Sequence, residues 1–169
     1  MTGLAETNAL SEPAFVARYG ALFEHSPWVV ERAAKLRPFS DLHTGLMAAV
    51  HAATPDEQLA LIRAHPELAG KTAIDRNLTD ASAAEQASAG LDRLTPEEFE
   101  KFHTLNAAYR ARFDFPFILC VRLTDKAGIL TAMERRLGAT RDAEIATAIA
   151  QIGEIVRLRL TDATEEARP

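Results

Sequence analysis

The sequence predicts an all-α protein, a single-domain bundle of roughly eight helices with one short buried extended segment. Three observations predict it. Apolar residues recur at three- and four-residue intervals through most of the chain, the spacing of one helix face. Thr54-Pro55-Asp56-Glu57 and Thr95-Pro96-Glu97-Glu98 repeat one helix-start device. In each, threonine caps, proline takes the first helical position and glutamate reaches back to the cap's N–H. The only strand-like run is Phe115-Pro116-Phe117-Ile118-Leu119-Cys120-Val121, and one strand cannot make a sheet.

The elements follow in order. Ser11 and Pro13 mark the start of a helix running to Phe23. Ser26 caps the next, with Pro27 as its first residue, and WVVERAAKL continues it until Arg37-Pro38 stops it. Ser40 to Ala53 puts Leu42, Leu46, Ala49 and Val50 on one face. The Thr54 helix ends at His65-Pro66, because the residue before a proline is pushed out of helical geometry. Leu68 to Ala81, with Gly70, Asp75, Asn77 and Asp80, lacks an apolar period and is expected as a long loop. A short helix starts at Ser82 and stops at Gly90. The Thr95 helix aligns Phe99, Phe102, Asn106, Tyr109 and Phe113. A helix from Lys126 to Leu137 closes at Gly138, and Thr140 caps the last, which runs to about Thr161. No repeat, low-complexity stretch or linker composition divides residues 1–169, so one domain is expected, its core at about 15–160.

Composition excludes several function classes. The chain has 169 residues, a net charge of −5 and no Lys/Arg-rich run, which argues against nucleic acid and anionic membrane as partners. One cysteine excludes an internal disulfide. The start MTGLAETNALSEP lacks a basic region followed by an apolar run, and TEEARP matches no peroxisomal or retention tail. No apolar stretch reaches spanning length. A soluble, cytoplasmic protein is the expectation.

Chemistry concentrates between Leu61 and Leu91. His65, beside Pro66 at a helix exit, sits at an edge where it can meet solvent or ligand. Its imidazole, with an ordinary pKa of about 6.5, can give or take a proton at working pH. A helix-terminal histidine bonding the last carbonyls is the competing explanation. Ser82 and Glu85 offer a hydroxyl and a carboxylate, yet S-x-x-E is itself a capping box and explains both without a ligand. Gln86 is less expected, since capping makes no demand on it. In the last helix Ile145, Ile149, Ile152 and Val156 form an apolar stripe that continues onto Arg159. A stripe arginine must snorkel outward or meet an anion, as a structural ion pair or as a carboxylate-binding fork. Arg157 lies on the polar side.

Other candidates are weaker. Cys120 within FPFILCV reads as a buried, inert thiol. His43 and His51 do not make a metal pattern, and His65-Pro66-Glu67 is not followed by the P-C-x-x-C of a zinc deaminase. Gly-rich phosphate loops and G-x-S-x-G are absent. Trp28 and Phe39 are expected in the core.

Several short motifs stand in a particular order: Ser26-Pro27-Trp28, His65-Pro66-Glu67-Leu68-Ala69-Gly70, Ser82-x-x-Glu85-Gln86-x-x-Ala89-Gly90-Leu91, Leu105-Asn106-x-x-Tyr109, Phe115-Pro116-Phe117-Ile118 and Leu158-Arg159-Leu160. From about Phe15 to Leu160 the chain resembles the 2-oxo-4-hydroxy-4-carboxy-5-ureidoimidazoline (OHCU) decarboxylases of urate breakdown. The resemblance implies an all-helical homodimer without cofactor or metal that converts OHCU to (S)-allantoin and CO2. It makes His65 the catalytic acid, Glu85 a second catalytic group and Arg159 the arginine facing substrate charge. Pro66, Ser82, Ala83, Ala84, Glu85 and Gln86 would line the substrate. The backbone of Phe117, Ile118, Leu119, Cys120 and Val121 would form another wall. Uricase and 5-hydroxyisourate hydrolase are the implied pathway associates. Asp114 departs from the glycine of many relatives. The competing readings are a non-catalytic ureide- or purine-binding module and a hydrolase acting on a neighbouring ureide.

Overall fold

The computed structural model describes residues 3–70 and 78–166. Among them it is all-helical, with no strand. The helices are α1 (Leu4–Ala9), α2 (Glu12–Tyr19), α3 (Trp28–Ala34), α4 (Leu42–His51), α5 (Pro55–Arg63), α6 (Asp80–Ser88), α7 (Pro96–Phe113), α8 (Lys126–Arg136) and α9 (Arg141–Glu166). The described residues also include the short 3-10 turns Gly20–Leu22 and Val121–Leu123. Two compact units emerge: residues 1–64 with 152–169, and residues 65–151.

In the first unit the local start signals work where they are uncontested. Ser11 accepts the Ala14 N–H, and Thr54 and Glu57 make the reciprocal capping box. Glu57 also pairs with Arg32, and this ion pair, followed by the cap hydrogen bonds, holds its carboxyl down to about 2. Two expected starts are corrected. Ser26 does not cap α3, whose N-cap position is Pro27 with no side-chain bond; the Ser26 N–H instead bonds the Phe23 carbonyl. The helix expected from Ser40 begins at Leu42, with Asp41 as its cap, taking both the N–H and the hydroxyl of Thr44 at 2.8 and 2.7 Å. Those bonds hold the Asp41 carboxyl below the usual carboxylate range.

Helix α1 has no counterpart in the sequence expectation. Its fixation is long-range: the Asn8 amide bonds both polar groups of the Phe39 backbone, and Arg37 Nη1 donates to the Thr7 and Leu10 carbonyls at the helix's end. A polar six-residue segment is too short to form a helix alone, so no local pattern announces it. Phe15, Phe23, Val29, Val30, Leu46, Val50, Leu61, Ile62, Ile152 and Val156 are buried in this unit. Each large side chain withdrawn from water contributes roughly 1.5–3 kcal/mol. Phe39 is buried as expected, and Gly45 admits its ring, because an added Cβ would lie 2.4 Å from it. Trp28 is only half-buried, with the Arg32 guanidinium 4.7 Å above its ring, which corrects the core expectation.

The second unit is organised on α7. Phe102, Asn106, Tyr109 and Phe113 are buried along its inner face, while Phe99 is half-buried. Tyr109 lies 4.6 Å from Phe113 and 5.3 Å, edge-on, from Phe117 between ring centroids. Asp114 ends the helix in a left-handed conformation (φ 62°), its N–H bonding the Arg110 carbonyl at 2.8 Å. Aspartate tolerates that region better than most residues, so this turn stands without glycine. Asp125 caps α8 and Thr140 caps α9. No helix among the described residues is long and apolar enough to cross a membrane.

Candidate functional site

The second unit gathers three of the stretches that the sequence singles out. The first is the loop His65–Gly70. His65 is only 8% exposed, so of the two expected partners at this edge, solvent and ligand, bulk solvent has little access to it. Side chains from α6 and α7 hold the loop behind it. Asn106 Nδ2 donates to the Leu68 carbonyl at 2.8 Å, and Arg110 Nε pairs with Glu67 Oε1 at 2.6 Å. Gln86 Oε1 accepts the Ala69 N–H at 3.1 Å, and its Nε2 donates to the Glu67 carbonyl at 3.4 Å. Ala69 has φ 54°, a left-handed backbone costing about 1–2 kcal/mol for a residue with a Cβ, and Gln86 bonds this residue directly.

The second stretch is α6, and its start is corrected. Thr79 is the cap, accepting the Ser82 N–H at 3.2 Å, and the helix begins at Asp80. Ser82 is therefore inside the first turn and does not form a capping box with Glu85. The helical period puts Ser82, Glu85 and Gln86 on one face. Ser82 and Gln86 are buried and Glu85 is half-buried, whereas Ala83 and Ala84 are exposed. Gly90, at φ 79°, lets the chain turn after the helix. Asp75 and Asn77 of the expected loop lie outside the described residues, and Asp80 belongs to the helix rather than the loop.

The third stretch is the extended segment. Phe117, Ile118 and Cys120 are buried and Leu119 is half-buried. Val121 is the correction here: it opens the 3-10 turn Val121–Leu123 instead of continuing the extended run. Helix α6 packs against that turn, which brings the Ser82–Gln86 helix to the end of the segment. Side chains rather than a neighbouring strand meet the segment's polar groups. Arg136 Nη1 donates to the Ile118 carbonyl at 2.7 Å, and Gln151 Oε1 accepts the Cys120 N–H at 2.9 Å.

Behind the segment lies a buried ionic cluster. Arg136 Nε pairs with Glu144 Oε1 at 2.8 Å, and the Tyr109 hydroxyl donates to the same oxygen at 2.6 Å. Burial, reinforced by the Glu144 carboxylate, pushes the Tyr109 phenol well above its ordinary range and keeps it a donor. Arg136, Glu144, Gln151 and Asn106 were not recognised from sequence as parts of a site. Only Asn106 carried a signal, an amide on an otherwise apolar helix face.

Arg159 belongs to the first unit. It is buried, with Nη1 donating to the Leu22 carbonyl at 3.2 Å and Nη2 to Glu24 Oε2 at 3.3 Å. Glu24, itself buried, is the anion that the sequence could not name, since 135 positions separate the pair. Arg157 is exposed and pairs with Glu154, as its polar face requires. Among the described residues no three His, Cys, Asp or Glu side chains cluster as a metal site. A cavity of about 540 Å³ beside Ala69 and Gly70 is lined by Leu91, Pro96 and Phe99 among others, and none of the expected catalytic or substrate-lining residues is among its lining.

Comparison with known proteins gives the family of the chain. A family model described as OHCU decarboxylase matches residues 8–161. The chain belongs to the OHCU decarboxylase family. It is 43% identical over 162 residues to the OHCU decarboxylase of Haloferax volcanii, covering 94% of each chain. It is 35% identical over 162 residues to the mouse (Mus musculus) OHCU decarboxylase, covering 94% of this chain and 91% of the relative. Its fold matches a crystal structure of (S)-allantoin synthase with a TM-score of 0.74 and 28% identity, covering 95% of this chain and 53% of that one. This OHCU decarboxylase family member thus spans about half the length of the allantoin synthase chain.

Proposed function

We propose that this chain decarboxylates OHCU, releasing CO2 and forming (S)-allantoin in urate breakdown. The observation that carries the reading is the convergence, within one unit, of the His65 loop, the Ser82–Gln86 face and the Phe117–Val121 segment. Gln86 bonds the loop, and α6 packs against the turn that ends the segment.

The reaction breaks the bond between the ring carbon and its carboxylate. The electron pair left behind passes into the conjugated ring, so the step calls for neither metal nor pyridoxal. What the protein adds is orientation and a proton delivered to one face. His65 supplies that proton, and Glu85 is the second polar catalytic group. Withdrawal of His65 from bulk water suits a proton that must reach one face of the substrate rather than exchange with solvent. Pro66, Ser82, Ala83, Ala84 and Gln86 line the substrate with the Phe117–Val121 backbone. Gln86 presents an amide already oriented by the loop it holds. A charge-recognition role for Arg159 belongs to the same proposal, as do a homodimeric, cytoplasmic enzyme and an upstream supply of substrate from uricase and 5-hydroxyisourate hydrolase.

The test couples the protein to those two enzymes and follows (S)-allantoin by circular dichroism. Accelerated appearance of the (S) signal is expected. Binding of a ureide without acceleration would make the protein a binding module, and release of ammonia or urea would make it a hydrolase.

A further inference from the structure

We infer that Arg136 and Gln151 are positioning residues that lock the Ile118–Cys120 backbone as a rigid wall for the substrate. The inference rests on the proposed decarboxylase reading. The segment is extended and has no strand beside it among the described residues, so no ladder fixes its register. Two side chains replace the ladder. Arg136 grips the Ile118 carbonyl at 2.7 Å and lies 4.2 Å above the Phe117 ring, while Gln151 takes the Cys120 N–H at 2.9 Å. The grips fall on the residues that flank Leu119 in sequence, the one half-buried residue between Phe115 and Val121.

Stability alone is a poor explanation for Arg136. Its charge is paired with Glu144 in a site where both side chains are almost fully buried, and its Nη2 is buried with no partner among the described residues. A buried pair with an unsatisfied nitrogen commonly stabilises a fold less than apolar residues of similar volume. What such a pair does supply is a fixed fork. With Nε on Glu144 and Nη1 on Ile118, the guanidinium ties the segment to α9 through a single rigid plane. Lysine can keep the charge opposite Glu144, but it cannot hold both partners in that geometry.

The experiment compares steady-state OHCU decarboxylation by the full chain and by Arg136→Lys, Gln151→Leu and Gln151→Glu, each with a thermal melt. Arg136→Lys and Gln151→Leu are expected to raise KM about tenfold with kcat within about twofold, the pattern of lost ground-state positioning. Gln151→Glu keeps an acceptor for the Cys120 N–H and is expected to restore the parental KM. If Arg136→Lys fails to fold, the Gln151 pair decides. Unchanged KM in folded Gln151→Leu, or a raised KM that Gln151→Glu does not restore, overturns the inference. An inactive parental protein instead overturns the decarboxylase reading and this inference with it.

Discussion

Replacing Gln86 by leucine tests the clamp on the His65 loop. The substitution keeps an apolar body of similar length in α6 but removes both amide bonds. The 3.1 Å bond is the larger loss, because it leaves the Ala69 N–H buried without its acceptor, at about 1–3 kcal/mol. The 3.4 Å bond to the Glu67 carbonyl is long and adds less. Ala69 then has nothing from α6 to hold its left-handed backbone. A net loss of about 2 kcal/mol corresponds to a Tm lower by about 4–8 °C for a chain of this size. Calorimetry or a circular-dichroism melt at neutral pH measures it. Gln86→Glu is the informative companion: it still accepts from Ala69 but sets an oxygen against the Glu67 carbonyl, so an intermediate Tm is expected. A leucine variant melting within about 1 °C of the parent would refute the clamp.

Two further predictions follow from the caps. Thr79→Ala removes the α6 cap and is expected to cost about 1 kcal/mol, a Tm drop of about 2–4 °C, with KM unchanged; a thermal melt beside an activity assay checks both. Glu57 sets a pH dependence. Its folded carboxyl titrates at about 2 rather than at the ordinary 4.5, chiefly because of Arg32, so it contributes stability above 4.5 that is lost as pH falls toward 2. The difference in urea-unfolding stability between the parent and Glu57→Gln should therefore shrink across that window, and a difference constant from pH 6 to 2.5 would contradict the assignment.

The elements legible in sequence are those whose cause is local. The Thr54–Glu57 and Thr95–Glu98 boxes close within four residues, and both are present as the pattern requires. The same locality misplaced the start of α6. Thr79 and Ser82 are both competent caps, and the glutamate at 85 made the later one look complete, although the chain uses the earlier. Arg136 was invisible for the opposite reason. Its partners are Glu144, eight residues ahead in the next helix, and the Ile118 carbonyl, eighteen behind in the extended segment, so no periodicity within one element pairs them. Helix α1 likewise depends on Arg37 and Phe39, some thirty positions away. Gln86 was flagged because capping had no use for it, and its use proved to be the backbone of the His65 loop. The motif order carried more about the site than any single residue could, since it tied together stretches that only the folded unit brings near one another.

The most direct measurement is the product formed by His65→Asn. Asparagine keeps much of the imidazole's size and hydrogen-bonding capacity but cannot deliver a proton near neutral pH. With uricase and 5-hydroxyisourate hydrolase supplying OHCU, circular dichroism reports the handedness of the allantoin formed, and a melt confirms that the variant is folded. The expected result is a folded protein that no longer accelerates (S)-allantoin formation, leaving only slow, unselective product. Undiminished production of (S)-allantoin by the folded variant would contradict the role of His65 as proton donor.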